Sequence, residues 1–354
     1  MSKLFRDARV LIVGGAGFVG RNLTVALLNA GAKETILVDN LLSSEHDNIP
    51  TSPKVSFWEG SIADNDILAK IGDDYDYIFH LGTYHGNQSS IHDPLADHEN
   101  SLFTTLKLFN HVRDFKRVRK VVYSGAGCAV AKKTFGEAEA TSEDAPIFLE
   151  MDSPYSISKI VGEFYAVYFN KQHGLPTVRA RFQNVYGPGE VLGAGKWRGT
   201  PATVWRNVTP TFIYKALKGQ ALPIENEGIA TRDFIYVEDV VDGLLSCASK
   251  GRRGEVYNIA SGVETSIREL AQTINELTGN MTPVQHLPKR DWDSSGKRFG
   301  STDKAKREFG FETKVSLREG LSRTIEWTRI TLPFIEACIQ KHAKNMAKDS
   351  LLFY

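Results

Sequence analysis

Val10-Leu11-Ile12-Val13-Gly14-Gly15-Ala16-Gly17-Phe18-Val19-Gly20 decides the reading of this chain. A short apolar run ended by glycines reads as a buried strand. Glycines stand at 14, 17 and 20, and a helical pattern from Leu23 to Leu28 follows. A turn this tight needs residues without Cβ, and it lets a dinucleotide approach the backbone closely. The helix opening at Phe18-Val19-Gly20 then presents free N–H groups and positive partial charge to a pyrophosphate. A glycine triplet alone is a weak signal, but its place after a strand and before a helix is the required context. The next apolar run, Thr35-Ile36-Leu37-Val38, ends at Asp39, with Asn40 beside it. An acid about 20 residues beyond the glycine turn is placed to bind the adenosine ribose hydroxyls.

The 354 residues suffice for one large α/β unit and a smaller lobe. Lys and Arg total 43 against 42 for Asp and Glu, so no basic excess points to nucleic acid. Cys128, Cys247 and Cys338 are far apart, with neither metal-type spacing nor a disulfide framework, which fits a reducing cytoplasm. The charged N-terminus, Met1 to Asp7, leads straight into the first strand and does not read as a signal peptide. No apolar run is long enough to span a bilayer. His80, His85, His92 and His98 lie close together, but their spacing matches no ligand pattern, and no metal is expected.

Strands and helices alternate through the first half. Val55 to Trp58, Asp76 to His80, Lys120 to Ser124 and Thr177 to Phe182 read as further strands, with helices around Leu102 to Val112 and Ser156 to Phe169. Such alternation predicts a doubly wound parallel sheet with helices on both faces. Ligands then bind beyond the carboxyl ends of the strands: Gly14, Asp39, Gly60-Ser61-Ile62, Leu81-Gly82-Thr83, Ser124 to Cys128, and Gln183-Asn184. Residues 1–188 read as the dinucleotide-binding domain, to which some later segments return, and 189–354 as a substrate lobe with C-terminal helices. Glu190 to Arg206 lacks periodicity but carries Trp197 and Trp205, so it reads as a long ordered loop. Trp197, Arg198 and Trp205 either wrap a substrate or pack the lobe. Glu238 to Lys250 and Tyr257 to Ala260 read as parts of the second lobe, and the tail from Leu317 to Lys348 as helix interrupted at Pro333.

The second strong signal is Tyr155-Ser156-Ile157-Ser158-Lys159. Spacing of i and i+4 puts the phenol and the ammonium on one helix face. A free phenol has a pKa of about 10, and a neighbouring cation favours the phenolate, so the pair can make a proton acceptor.

With these motifs the chain resembles the extended short-chain dehydrogenase/reductase family, specifically its NAD-dependent nucleotide-sugar epimerases and dehydratases. The resemblance runs from about Arg9 to about Trp327. It rests on the glycine turn, Asp39, Phe79-His80-Leu81-Gly82, Asn100, Tyr155-x-x-x-Lys159, Arg181 to Pro188 and Arg232 to Asp239. It implies a Rossmann-like sheet with a smaller mixed α/β C-terminal lobe, NAD as a tightly held reversible oxidant, and a nucleotide-diphosphate sugar as substrate. Tyr155 would deprotonate a sugar hydroxyl, and Lys159 would bind the nicotinamide ribose and depress the phenol. Cofactor contacts on this reading are Gly14, Gly17, Phe18, Val19, Gly20, Asp39, Asn40, Ser61, Ile62, Leu81, Gly82, Thr83, Asn100, Ser124, Tyr155 and Lys159. Substrate contacts are Tyr84, Asn184, Asn207, Arg232, Arg290 and Arg298, and His85, which follows the nicotinamide turn with Tyr84, is read as facing the sugar too. The resemblance further implies a homodimer through helices spanning 96–115 and 156–172, and a role in surface polysaccharide synthesis.

Two departures stand out. Gly60-Ser61-Ile62 has serine where the family has an acid on adenine. After the fifth strand, Ser124-Gly125-Ala126-Gly127-Cys128 puts Ala126 where a Ser or Thr hydroxyl usually polarises the reacting group. The glutamate of the dTDP-glucose 4,6-dehydratases is missing, and Cys128 stands in its place. Cys128 is either an acid/base at a sugar carbon, as in the GDP-mannose 3,5-epimerases, or a small buried filler. The reading is therefore epimerisation at C4 through a transient 4-keto sugar. The alternatives are a C3/C5 epimerase using Cys128, a dehydratase, or a non-catalytic NAD-sensing protein on the same fold.

Overall fold

The computed structural model describes residues 2–131, 134–289 and 296–349. Seven strands form one parallel sheet: β1 (Arg9–Val13), β2 (Glu34–Asp39), β3 (Val55–Glu59), β4 (Tyr77–His80), β5 (Lys120–Ala126), β6 (Thr177–Phe182) and β7 (Val256–Ile259). Their order across the sheet is β7-β6-β5-β4-β1-β2-β3. Chain direction across the sheet reverses between β1 and β4, and a crevice opens at such a switch point.

Alternation along β1 explains both faces. Val10 and Ile12 pack on one side with Leu23 and Leu27 of α1 (Phe18–Asn29). Leu11 and Val13 pack on the other with Leu108, Phe109 and Val112 of α2 (Thr104–Val112) and Ala166 and Phe169 of α3 (Pro154–His173). Both faces are covered there, so β1 is apolar from Val10 to Val13, as a buried parallel strand requires.

A second core joins Phe212 and Ile213 of α4 (Val208–Leu217), Ile224, Phe234, Leu270 and Ile274. Three features differ from the sequence reading. The segment around Tyr257 is β7, an edge strand of the main sheet in register with β6, rather than part of the second lobe. Helix α5 (Val237–Ser249) likewise packs Val240, Val241 and Leu244 into the main core beside α1. Pro333 does not break the long helix α6 (Leu317–Gln340). Arg329, whose carbonyl loses its intrahelical donor, and Pro333 are both exposed, so water can replace that bond.

The aperiodic stretch 190–206 is ordered by packing. Val191, Leu192 and Ala194 sit against Ile335 and Cys338 of α6, with Trp205 and Trp327 alongside.

Candidate active site

The glycine turn shows why its residues are small. Gly14 has φ +80, and a Cβ there would lie 2.6 Å from the Gly82 nitrogen. A Cβ on Gly20 would press on the Gly14 carbonyl, so β1, the β4 end and α1 meet only without side chains. Helix α1 opens at Gly17 with no side-chain cap, which leaves its first N–H groups free to face a phosphate. The Asp39 carboxylate accepts from Ala16 N (3.1 Å), Leu41 N (2.9 Å) and Ser44 Oγ (3.3 Å). Burial raises its pKa and these donors pull it back, leaving acceptor capacity for a ribose hydroxyl.

These groups line one cavity of about 1380 Å³. That exceeds the roughly 300–1,000 Å³ that suits one small ligand, so there is room for a cofactor and a substrate together. Gly14, Gly17, Phe18, Val19, Gly20, Asp39, Asn40, Ser61, Ile62, Leu81, Gly82, Thr83, Asn100 and Ser124 all lie on its wall. Uncapped N–H groups, a β2 carboxylate and glycines that leave backbone bare form the donor set a dinucleotide needs, so the residues present fit NAD.

Helix α3 carries both Tyr155 and Lys159. Its start is fixed by Ser153, whose Oγ accepts from Ser156 N, and by Ser90 Oγ, which accepts from Tyr155 N (3.2 Å). Lys159 is buried and donates to Ser124 O (2.9 Å) and Ser124 Oγ (3.2 Å), with its Nζ 5.8 Å from the centre of the Tyr155 ring. Burial lowers Lys159 to about 8. Burial also pushes the Tyr155 phenol well above its usual value, and nearby Cys128 adds to this. Below this pair, Asp97 accepts from Ser158 Oγ (2.6 Å) and from Ser101 Oγ (3.3 Å). A one-turn widening of the helix at His98–Phe103 sets Ser101 under the β4 end, where its Oγ accepts from Tyr84 N (2.9 Å).

Cys128, Asn184, Asn207, Arg232 and Arg298 all reach the cavity. Arg232 also donates to Thr231 O and Gly296 O, each at 2.7 Å. Arg290 lies outside the described residues. Tyr84 is corrected: it is buried off the cavity, under the Arg198 guanidinium at 5.7 Å, while His85, read with it as facing the sugar, lines the wall. The chain leaves β4 with residue 84 turned toward the interior, a direction that a turn sequence does not specify.

Sequence reasoning also missed Glu190 and Arg206, which line the cavity from the 190–206 stretch. No periodicity marks them. Glu190 is buried beside the Asn207 amide, and burial lifts its carboxyl to about 7. Of the three residues left open between wrapping and packing, only Trp205 lines the cavity. Trp197 stacks on His342, and Arg198 is a buried staple that donates to Ser43 Oγ and His85 O. Among the described residues no group of three His, Cys, Asp or Glu could hold a metal ion, and no helix is long and apolar enough to cross a membrane.

Residues 10–260 match the model of the NAD dependent epimerase/dehydratase family. The Bordetella bronchiseptica enzyme WbmF in complex with NAD+ is 59% identical with a TM-score of 0.88, over 98% of this chain and 99% of that one. The same enzyme with NAD+ and UDP superposes with a TM-score of 0.89. A UDP-glucose 4-epimerase from Mycolicibacterium smegmatis is 31% identical over 327 residues, 91% of this chain and 98% of that protein. The UDP-glucose 4-epimerase of Thermotoga maritima, solved with UDP-glucose, is 31% identical with a TM-score of 0.81, covering 92% and 99% of the two chains.

Proposed function

Because this chain belongs to the NAD dependent epimerase/dehydratase family, we propose that it epimerises a uridine-diphosphate sugar at C4 through a transient 4-keto sugar. One observation carries the reading. Tyr155 and Lys159 meet the carboxyl end of β5 on the wall of a cavity that continues into the second lobe, to Asn207 and Arg232. Bound NAD supplies the acceptor and donor of the hydride. Tyr155 takes and returns the hydroxyl proton, and Lys159, fixed on Ser124, holds positive charge beside the phenol. Asn207 at the start of α4, Asn184 and the Arg232 guanidinium are suited to the diphosphate, because helix N-termini and planar guanidiniums both favour phosphate oxygens. The UDP of the WbmF complex and the 4-epimerase relatives support the choice of nucleotide and carbon.

A second reading has a specific observation behind it. Cys128 is only partly buried, lines the cavity and packs in one cluster with Tyr155. It can therefore serve as the acid/base that C3 or C5 epimerisation needs beside a keto group. Incubating the holoenzyme with UDP-sugars in heavy water separates the two. C4 epimerisation returns the hydride inside the site, so the product carries no ring deuterium by NMR and Cys128→Ala stays near wild-type rate. Ring deuterium that disappears in Cys128→Ala would establish the proton-shuttle scheme. No interconversion of any UDP-sugar leaves the non-catalytic alternative.

The homodimer is part of the same proposal. Ile157, Phe164 and Tyr168 stand exposed on α3, and Leu95 and Phe103 on the segment before α2. Apolar residues left together on adjacent helices suit a second copy of the chain. Phe164→Glu is expected to halve the mass seen by analytical ultracentrifugation, and an unchanged mass would place any interface elsewhere. A cytoplasmic location and a place in surface polysaccharide synthesis also belong to the proposal. The free cysteines support the first and the resemblance alone the second.

A further inference from the structure

Ala126 leaves a gap in the chemistry. It lines the cavity at the end of β5, where a hydroxyl would steady the reacting oxygen, and a methyl group has no proton to offer. Across the cavity stands His85, its ring centre 6.5 Å from that of Tyr155 and nearly edge-on at 69°. The His85 Nδ1 is fully enclosed, and neither ring nitrogen has a hydrogen-bond partner among the described residues, which leaves Nε2 as the one a ligand can engage. The backbone around it is nonetheless held firmly. Arg198 Nη1 donates to His85 O (3.2 Å), Ser153 Oγ reaches the Asn87 side chain (3.2 Å), and Ser90 Oγ meets Tyr155 N. A well-anchored imidazole on the wall of a ligand cavity, beside the reactive phenol, with Nε2 still to be engaged, is a group that a ligand would complete.

We propose that His85 is a catalytic residue whose imidazole N–H donates a hydrogen bond to the same sugar oxygen whose proton Tyr155 takes, in the role that Ala126 cannot fill. The assignment rests on the epimerase reading given above. Burial, with Arg206, Arg198 and Lys159 nearby, pushes His85 down to about 3, so the ring is neutral at working pH and offers one N–H donor and one acceptor. A neutral imidazole suits this role, because it polarises a carbonyl without surrendering its proton. Proton balance is simple: the hydroxyl proton moves to the Tyr155 oxygen and back, and His85 keeps its own throughout. The hydrogen bond is strongest when the sugar oxygen carries alkoxide character, so it lowers the barrier more than it tightens substrate binding.

The test uses holoenzyme and UDP-glucose. His85→Ala is expected to lower kcat by about 10²–10³-fold, the usual loss for removing one such donor. Bound NAD content and the calorimetric UDP-glucose affinity should stay within about threefold of wild type, as expected for a bond made chiefly in the transition state. Adding Ala126→Ser to His85→Ala should recover about tenfold or more, because the new hydroxyl supplies one hydrogen bond to the same oxygen. His85→Gln keeps an N–H donor and most of the volume, and should fall between wild type and His85→Ala if the alanine variant folds poorly. A kcat within about threefold of wild type, a loss confined to UDP-glucose affinity, loss of bound NAD, or failure of Ala126→Ser to rescue would each overturn the assignment. A wild-type enzyme that interconverts no UDP-sugar would overturn the epimerase reading and this role with it. An active wild type with an unimpaired His85→Ala would remove this role alone.

Discussion

Replacing Tyr155 by phenylalanine is expected to abolish turnover and to leave NAD bound. The ring belongs to a small cluster with Ala126, Ala129, Val130 and Ile160, with Cys128 and Met151 beside it, and phenylalanine preserves that packing. Only the phenol oxygen is lost, so the fold and the cofactor wall should persist while proton transfer stops. General acid–base catalysis contributes about 10²–10⁴-fold, which sets the expected fall in kcat. Burial works against the phenolate, and Lys159 is the cation fixed beside the ring. Lys159 is charged at neutral pH and loses its proton as pH rises through about 8, so wild-type activity should decline on the alkaline side. Steady-state rates across pH and the absorbance of NAD released on denaturation check both parts. A Tyr155→Phe enzyme within a few fold of wild type would hand the base role to another cavity residue, with Cys128 and His85 the nearest candidates.

The parts legible in the sequence were those whose physics is local. A strand, a turn that excludes Cβ and an uncapped helix start are neighbours in the chain, so Gly14, Gly17 and Gly20 declare them together. Tyr155 and Lys159 are one helical turn apart, so their shared face follows from spacing. What stayed hidden depends on distant packing. Nothing in Val256–Ile259 says that it pairs with Arg179 to Phe182, because that choice is made by the empty edge of β6. That Tyr84 turns inward while His85 reaches the cavity depends on the direction of one residue after β4. Glu190 and Arg206 lie in a stretch whose shape comes from contacts with α6, which no periodic pattern records. Pro333 reads as a breaker, yet its cost falls on an exposed carbonyl that water can satisfy.

NADP should bind about three decades more weakly than NAD. A phosphate on the adenosine ribose would be brought toward the Asp39 carboxylate at the end of β2, which lines the cavity. One unit of like charge at about 4 Å, with an effective dielectric near 20, costs roughly 4 kcal/mol, or about a thousandfold in affinity. Enzymes that accept the extra phosphate place an arginine next to it. After Asp39 the chain reads Asn40-Leu41-Leu42-Ser43-Ser44, with no cation. The structure does bring two arginines to Ser43, and they must be weighed. The Arg206 guanidinium is engaged with the carbonyls of Ser43, Ala194 and Thr203, and Arg198 with Ser43 Oγ and His85 O. Turning either toward a ribose phosphate would strip buried carbonyls of their donors, at about 1–3 kcal/mol for each group left unsatisfied. The repulsion therefore stands largely uncompensated. Calorimetry on cofactor-stripped protein measures the gap directly, and Asp39→Asn should narrow it by raising NADP affinity more than it lowers that of NAD. Equal affinity of the wild-type protein for the two cofactors would show that Asp39 does not face the ribose.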